Sequence, residues 1–423
     1  MPKKMLRKNL KYSIIEGSFF ALMYGMGENY ISALGVFLGY SALQISILSS
    51  FPQLIGAFSQ LVTYKLTNLF GSVKKFAVVL AFLQAGMWLI LVIIINKTNS
   101  YMVILGWSSI YFILTSLIGP AWISWIGYIV PFKLRSNYHA NRNRIINSFI
   151  FISIMIGGII IKIFGANLLY AFTIMFCLAA LGRFLSAYYL NKKDEYYETQ
   201  NNYTFSYKDI LKNKLKKWFI IYNTSIHFSV MFLGPLFTIY ILRTMDLSYF
   251  VLTVCMVTWW IGNVSSSTYW GRVTKKHGNL FLLKNSTVLM CILPLFWISV
   301  YYLNYEFRIL VSVLINLIAG ITFSGFGLSS FNFIYDISES DEVIKFSSMV
   351  NCLKGIGIFL GSVIAGFIVD SVYIINILSE YNFTSIQFSM LISIILRILS
   401  LLTIYKLAYY KNEYKKNRLT ANV

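Results

Sequence analysis

Apolar runs of about 20 residues recur from one end of this 423-residue chain to the other, each long enough to cross ~30 Å of hydrocarbon as a helix. No other feature constrains the fold so strongly. A segment in lipid must satisfy its own backbone N–H and C=O groups, and a helix does this within one run. Charged residues make up only 12% of the chain and hydrophobic ones 57%, where a soluble domain carries about 25% charge. An all-α, multi-pass membrane protein is the expected class.

Twelve spans are read, at about 12–36, 43–66, 76–95, 102–129, 139–162 and 167–190, then 218–242, 248–270, 280–303, 308–334, 345–369 and 385–408. Between the sixth and seventh lies the only long polar stretch, 191–217, with seven lysines (Lys192, Lys193, Lys208, Lys212, Lys214, Lys216 and Lys217) and no apolar period. It reads as a cytoplasmic linker. The expected organisation is an N-terminal six-helix bundle over 1–190, the linker, and a C-terminal bundle with its tail over 218–423.

A net charge of +21 invites a nucleic-acid reading, and the placement of the charges argues against it. Of the 36 Lys and Arg residues, Lys97, Lys162, Arg243 and Arg308 fall on one side of the spans, and Arg183, Lys354 and Arg397 fall inside them. The other 29 fall on the side of the N-terminus. That bias is the mark of cytoplasmic loops, so both termini are expected in the cytoplasm and the protein in the plasma membrane. Cys177, Cys255, Cys291 and Cys352 stand singly in apolar segments, without metal or redox spacing. No cofactor, metal or nucleic-acid partner is expected. Nor is a catalytic constellation or nucleotide-binding loop recognisable, so an enzyme is not the expected reading. The expected partners are the bilayer, a small solute and, under one mechanism, protons, with the protein a monomer.

The two halves match in span count, and a shift of 207 positions aligns Gly27 with Gly234, Gly71 with Gly278, and Tyr128 with Tyr335. Each pair falls at the same place in its half, so a duplication is inferred. Parallel six-helix repeats with a site between them near the midplane are a transporter architecture.

The turn after the eighth span runs from Gly271 through Lys275 and Lys276 to Gly278, and the turn after the second keeps Asn68, Gly71, Lys74 and Lys75. Both resemble the G-x-x-x-D-R-x-G signature of the major facilitator superfamily, with Lys275 where the acid is usual. More specific is the stretch around the fourth and fifth spans, which joins Pro120, Ala121, Trp122, Ser124 and Trp125 to Val130, Pro131, Arg135, Tyr138, Arg142, Asn143 and Arg144. It is similar to a bacterial subgroup of that superfamily, though Ser136 and His139 depart from the subgroup's pattern. The resemblance implies the facilitator fold, twelve transmembrane helices in two pseudo-symmetric six-helix bundles. It brings a reaction class and no substrate.

Ionisable groups inside spans are expensive and therefore candidates for function. Glu28, in Tyr24-Gly25-Met26-Gly27-Glu28-Asn29, reads as a protonatable carboxylate or as a structural acid. Lys354, beside Gly355 and Gly357 in the eleventh span, could hold an anionic solute, neutralise an acid of the cavity, or snorkel. His227 shares a helix face with Asn223 and Thr224. The resemblance places its helix, with the first, fourth and tenth, around the central cavity. Trp107, Tyr111, Trp259 and Asn263 are further candidate wall residues, and Asn332 ends a polar stripe on the tenth span. Arg183 and Arg397 belong to helices that the resemblance places at the periphery, where a structural role is expected. At the cytoplasmic tips Arg135, Arg142 and Arg144 carry the opposite charge to Asp336, Glu339, Asp341 and Glu342, and cross-half ion pairs are expected to close that side in one state. The expected function is transport of a small solute by alternating access, driven by a solute gradient or by protons through Glu28. The alternative is a non-transporting sensor or a lipid flippase on the same fold.

Overall fold

The structure is a computed structural model that describes residues 3–195, 207–338 and 343–420. The described residues are helical apart from short turns and loops. Eleven of their helices are long and apolar enough to cross a membrane. The first expected span is the exception.

In the first half of the sequence, α1 (Lys3–Met26) gives way at Gly27 to one 3₁₀ turn, Glu28–Tyr30, and then α2 (Ile31–Phe37). A Cβ at Gly27 would stand 2.5 Å from the Trp88 indole, so only glycine fits where the backbone turns out of helix. The span expected over 12–36 is therefore built from two helices. α3 (Ala42–Ser59) and α4 (Thr63–Phe70) make up the second span, joined by another 3₁₀ turn. Pro52 inside α3 cannot donate the helical bond to the residue four back. Gly71 then adopts φ +63°, which frees the chain to reverse into α5 (Val73–Lys97). Three long helices follow: α6 (Tyr101–Ile129), α7 (Phe132–Ile163) and α8 (Leu168–Asn191).

The second half repeats this plan. After the short α9 (Tyr207–Lys212), α10 (Lys214–Met231) breaks before Gly234, continues as α11 (Gly234–Ile239), and ends in one π turn, Tyr240–Thr244. α12 (Tyr249–His277) ends at Gly278, with φ +83°, and α13 (Asn279–Val300) begins at once. Then come α14 (Tyr305–Ile337), α15 (Val343–Asp370), the short α16 (Val372–Ser379) and α17 (Ser385–Thr420). The glycine pairs that suggest duplication thus mark matching backbone events, a helix break at Gly27 and Gly234 and a left-handed turn at Gly71 and Gly278.

By contact the chain divides into two compact units, and their borders do not follow the sequence halves. Unit 1 comprises Met1–Tyr40, Phe51–Gln200 and Ser248–Val257; unit 2 comprises Ser41–Ser50, Asn201–Leu247 and Thr258–Val423. In unit 1, α1 packs on α7 and α8, and α5 on α6 and α8. In unit 2, α10 packs on α15 and α17, and α13 on α14 and α17, which is the same pattern. Each unit has its own apolar core. Phe76, Leu117, Trp125, Ile129 and Leu190 meet in the first, and Phe219, Phe326, Phe333, Phe346 and Leu407 in the second. Large apolar side chains such as Leu83, Ile93, Leu399 and Leu402 remain exposed, as a surface facing lipid requires.

Each unit also takes in the start of a helix from the other sequence half. In unit 2 the Asp370 carboxylate at the end of α15 accepts the N–H groups of Ala42 (3.1 Å) and Leu43 (2.7 Å), the first residues of α3. An anion at a helix N-terminus satisfies donors that the helix leaves open. In unit 1 the Tyr30 hydroxyl shares a 3.1 Å hydrogen bond with Thr253 Oγ1 near the start of α12, and Gly158 on α7 leaves room for that threonine.

Candidate functional site

Glu28 sits in the 3₁₀ turn opened by Gly27, so its side chain leaves the first span where the helical ladder is interrupted. From α6 the Tyr111 hydroxyl donates to Glu28 Oε1 at 2.6 Å, a charge-assisted length. Tyr111 is itself fully buried and stacked against Trp107, with Trp88 edge-on to both rings. Trp107 Nε1 donates to the Met87 carbonyl at 2.6 Å, which makes Trp107 a packing residue that supports Tyr111.

A polar chain continues behind this pair. The Thr115 hydroxyl donates to the Tyr111 carbonyl, Gln84 Nε2 donates to Thr115 Oγ1 at 2.6 Å, and Arg183 Nε donates to Gln84 Oε1. Arg183 also bonds Ser186 and lies over the Phe20 ring. Its guanidinium is buried and close enough to Glu28 for their charges to interact. Sequence reasoning sets Arg183 aside as peripheral and does not single out Gln84 or Thr115. The signal available is the pairing of an amide in the third span with an arginine in the sixth, both in otherwise apolar helices.

In unit 2 the candidate residues gather where α10 meets α15. A Cβ at Gly357 would stand 2.7 Å from the Thr224 carbonyl oxygen, and one at Gly361 2.3 Å from that of Phe228. This seam brings Lys354 within electrostatic reach of His227. His227 Nδ1 lies 2.7 Å from the Asn223 carbonyl, so Nδ1 carries a proton and Nε2 points elsewhere. Asn223 Nδ2 donates to Ser330 Oγ on α14 at 2.8 Å, a bond that joins the polar stripe of α14 to α10. Trp259 and Asn263 lie at a second glycine seam, where Gly262 and Gly320 let α12 and α14 touch backbone to backbone. Asn332 is half-buried on α14. Arg397 is buried and donates to the Met290 carbonyl.

The foot of unit 1 holds the densest charge cluster among the described residues. Glu16, 4% exposed, takes Arg142 Nη2 at 3.1 Å, Trp122 Nε1 at 3.0 Å and the Lys193 ammonium at 3.7 Å, all on Oε1. Arg142 lies 4.3 Å over the Trp122 ring and Lys193 4.5 Å over that of Trp125. Two cations thus share one carboxylate. Burial pulls the Lys193 ammonium down to about 8 from its usual value, with Glu16 opposing that effect and Arg142 adding to it. Nearby, the Glu195 carboxylate accepts Ser72 Oγ at 2.7 Å and the Lys74 N–H, which caps the start of α5.

Among the described gate candidates, Arg142, Arg144 and Asp336 each have a partner inside their own unit. Arg142 is held by Glu16, the exposed Arg144 donates to Asn141, and Asp336 accepts Asn279 at 3.0 Å and Lys411 at 3.7 Å. The side chain of Arg135 and all of Glu339, Asp341 and Glu342 lie outside the described residues. Of the turn residues, Gly71 and Gly278 are positive-φ reversals, Asn68 provides the carbonyl that Gly71 N–H bonds, and Gly271 lies inside α12.

The profile described as Major Facilitator Superfamily matches residues 14–328. No curated protein matches the chain. Among solved structures, the chain is similar to a mutant form of the nucleoside transporter NupG, with TM-score 0.73 and 13% identity over 94% of this chain and 100% of that one. It is also similar to a bacterial homologue of the human lysosomal transporter Spinster in an inward-facing, occupied conformation, with TM-score 0.71 and 12% identity over 97% and 98%. A third likeness is to the xylose transporter XylE from E. coli, with TM-score 0.69 and 13% identity over 96% and 98%.

Proposed function

Since the chain belongs to the major facilitator superfamily, and so is a multi-pass secondary transporter working by alternating access, we propose that it couples movement of a small solute to protons through Glu28. The 2.6 Å hydrogen bond from Tyr111 carries this reading. A carboxylate in a span survives as an anion only where donors and a cation compensate it, and here Tyr111 and Arg183 do so. Protonating Glu28 would remove the charge that orders the Tyr111 hydroxyl and that the buried Arg183 guanidinium senses. The break at Gly27 supports the reading further, because it frees the Glu28 backbone from the rigid ladder beside it.

The orientation follows from the loop charges. A total of 29 Lys and Arg on the N-terminal side, against four opposite, supports cytoplasmic termini in the plasma membrane. The cargo of the compared structures does not transfer at 12–13% identity, so the solute has to be found. Ligands that stabilise the purified protein against heat are the place to begin, since binding to the native state raises its midpoint. With that solute in proteoliposomes, Glu28→Gln is expected to abolish accumulation driven by a pH gradient while solute counterflow continues. Accumulation at the wild-type level in Glu28→Gln would refute proton coupling at this residue. Absence of counterflow in the wild type would favour the sensor reading.

A further inference from the structure

The end of unit 2 that carries the C-terminal tail has an open cleft of about 330 Å³ between α13 and α17. His277, Phe281 and Lys284 line one side, at the corner of α12 and α13, and Tyr405, Ala408 and Lys411 line the other. The α17 residues recur every three positions, so one face of that helix forms the wall. No acid lines the cleft. Lys411 lies 3.7 Å from Asp336 behind it, and that carboxylate also accepts Asn279 at 3.0 Å. Lys284 has no ion pair among the described residues, and its ammonium stands 4.8 Å from the centre of the Tyr405 ring. The His277 ring is stacked on Phe281 at 4.8 Å, and either neutral tautomer has one N–H to donate. Two ammonium groups thus share one carboxylate, and positive charge is in surplus.

The two walls continue into an apolar track. From the cleft toward the middle of the spans, Val288, Ile292 and Leu295 of α13 are exposed, as are Leu402, Ile398 and Ile395 of α17. Side chains of this kind face hydrocarbon. From Lys284 to Leu295, and from Tyr405 to Ile395, the track runs about 15 Å, which is half the thickness of the hydrocarbon layer. Lys284 and Lys411 therefore stand at headgroup depth. The exposed Tyr405 and Tyr409 stand at the same level, where tyrosines anchor a span.

We propose that this cleft binds the phosphate of an anionic phospholipid, with the acyl chains lying along α13 and α17. The phosphodiester meets the Lys284 ammonium and the His277 N–H, with Lys411 shared between it and Asp336. A zwitterionic lipid would bring its own cation to a site already in positive surplus, so the preference is for a headgroup of net negative charge. Free phosphate has the same charge but would leave both apolar tracks uncovered. Gly278, where the chain reverses at φ +83°, follows His277 directly, so a bound headgroup would tie that corner to α17. The proposal is independent of the cargo and of coupling at Glu28. Only the leaflet, the cytoplasmic one, rests on the orientation proposed from the loop charges.

The test uses the purified full-length protein, freed of lipid in dodecyl maltoside, and reads its unfolding midpoint at fixed ionic strength. Phosphatidylglycerol, phosphatidylcholine and inorganic phosphate are added in turn. Phosphatidylglycerol is expected to reach half-effect at a concentration roughly fivefold or more below that of phosphatidylcholine, the ratio that one lysine is worth at an anionic surface. Lys284→Gln removes a charge and Ala408→Phe fills the cleft, and each should bring the two lipids to equal half-effect. Equal half-effects in the wild type overturn the proposal. So does an undiminished preference in either variant, which for Ala408→Phe would mean diffuse surface charge rather than a cleft. A full response to inorganic phosphate alone would make this a free-anion site and also overturn it. Should Ala408→Phe fail to fold, a phosphatidylglycerol with a photoreactive acyl chain replaces it. Adducts on α13 and α17 that Lys284→Gln lacks are then expected, and adducts spread evenly over the lipid-facing helices overturn the site. None of these measurements needs transport, so their failure leaves the Glu28 reading standing.

Discussion

Lys193 lies just beyond the end of α8, and it is buried with its ammonium between Glu16 and the face of Trp125. Its proton is held at about 8 in the fold and at about 10.4 in an unfolded chain. Between these values the unfolded state binds more protons, so stability rises with pH across that window. Complete release is worth ~3 kcal/mol. The thermal midpoint of the wild type should therefore rise from pH 8 toward pH 10 relative to Lys193→Met, in which the carboxylate of Glu16 retains Arg142. Parallel profiles for the two proteins would show that Lys193 does not titrate in this window. Single residues also show where the sequence is readable. Glu28 is legible because an acid in an apolar run has few innocent explanations. Gln84 is not, since one amide among apolar residues has no period and no charge, and only packing brings it to Arg183. Arg142 reads as a gate candidate from charge complementarity, which says nothing of its bond to Glu16, 126 positions away on another helix.

The helices themselves are largely legible, because the thickness of hydrocarbon sets their length whatever the neighbours do. Their interruptions are not. Glycine is common in transmembrane helices, and nothing local separates Gly27, which breaks one, from Gly86, which lies inside α5 with open space around it. What sets Gly27 apart is its surroundings, where the Trp88 indole of another helix leaves no room for a Cβ. The same contrast gives a test at the seam between α10 and α15. Gly361→Ala would put a methyl 2.3 Å from a backbone carbonyl that cannot swing aside, and overpacking of this kind costs about 1–3 kcal/mol. Gly86→Ala meets nothing and should be neutral or stabilising by up to ~1 kcal/mol through helix propensity. Unfolding midpoints in detergent should fall for the first and hold or rise for the second; equal midpoints would mean the seam is looser than its geometry.

At the scale of the molecule, 41–50 and 248–257 each belong by contact to the unit built mainly from the other sequence half. The equivalence runs deep, since Ser46 and Thr253 are 207 positions apart and each packs against a glycine, Gly366 and Gly158 respectively. If the chain is cut within 196–206 and the two pieces are produced together, a tag on the second piece should retain the first through purification. Gly366→Leu in the tagged piece should weaken that retention, because the side chain would enter the space of Leu43 and Ser46. Pieces that separate freely would show that the exchanged segments hold little.

The cap on α3 also sets a waiting time. Ala42 and the carboxylate that receives its N–H are 328 positions apart. At ~5–20 residues per second, the ribosome delivers Asp370 about 16 to 65 s after Ala42. For that interval the amides of Ala42 and Leu43 have only water to bond, while Ser41 Oγ caps Gln44 locally. The end of a newborn hairpin must therefore stay at the wet surface of the bilayer until the eleventh span arrives.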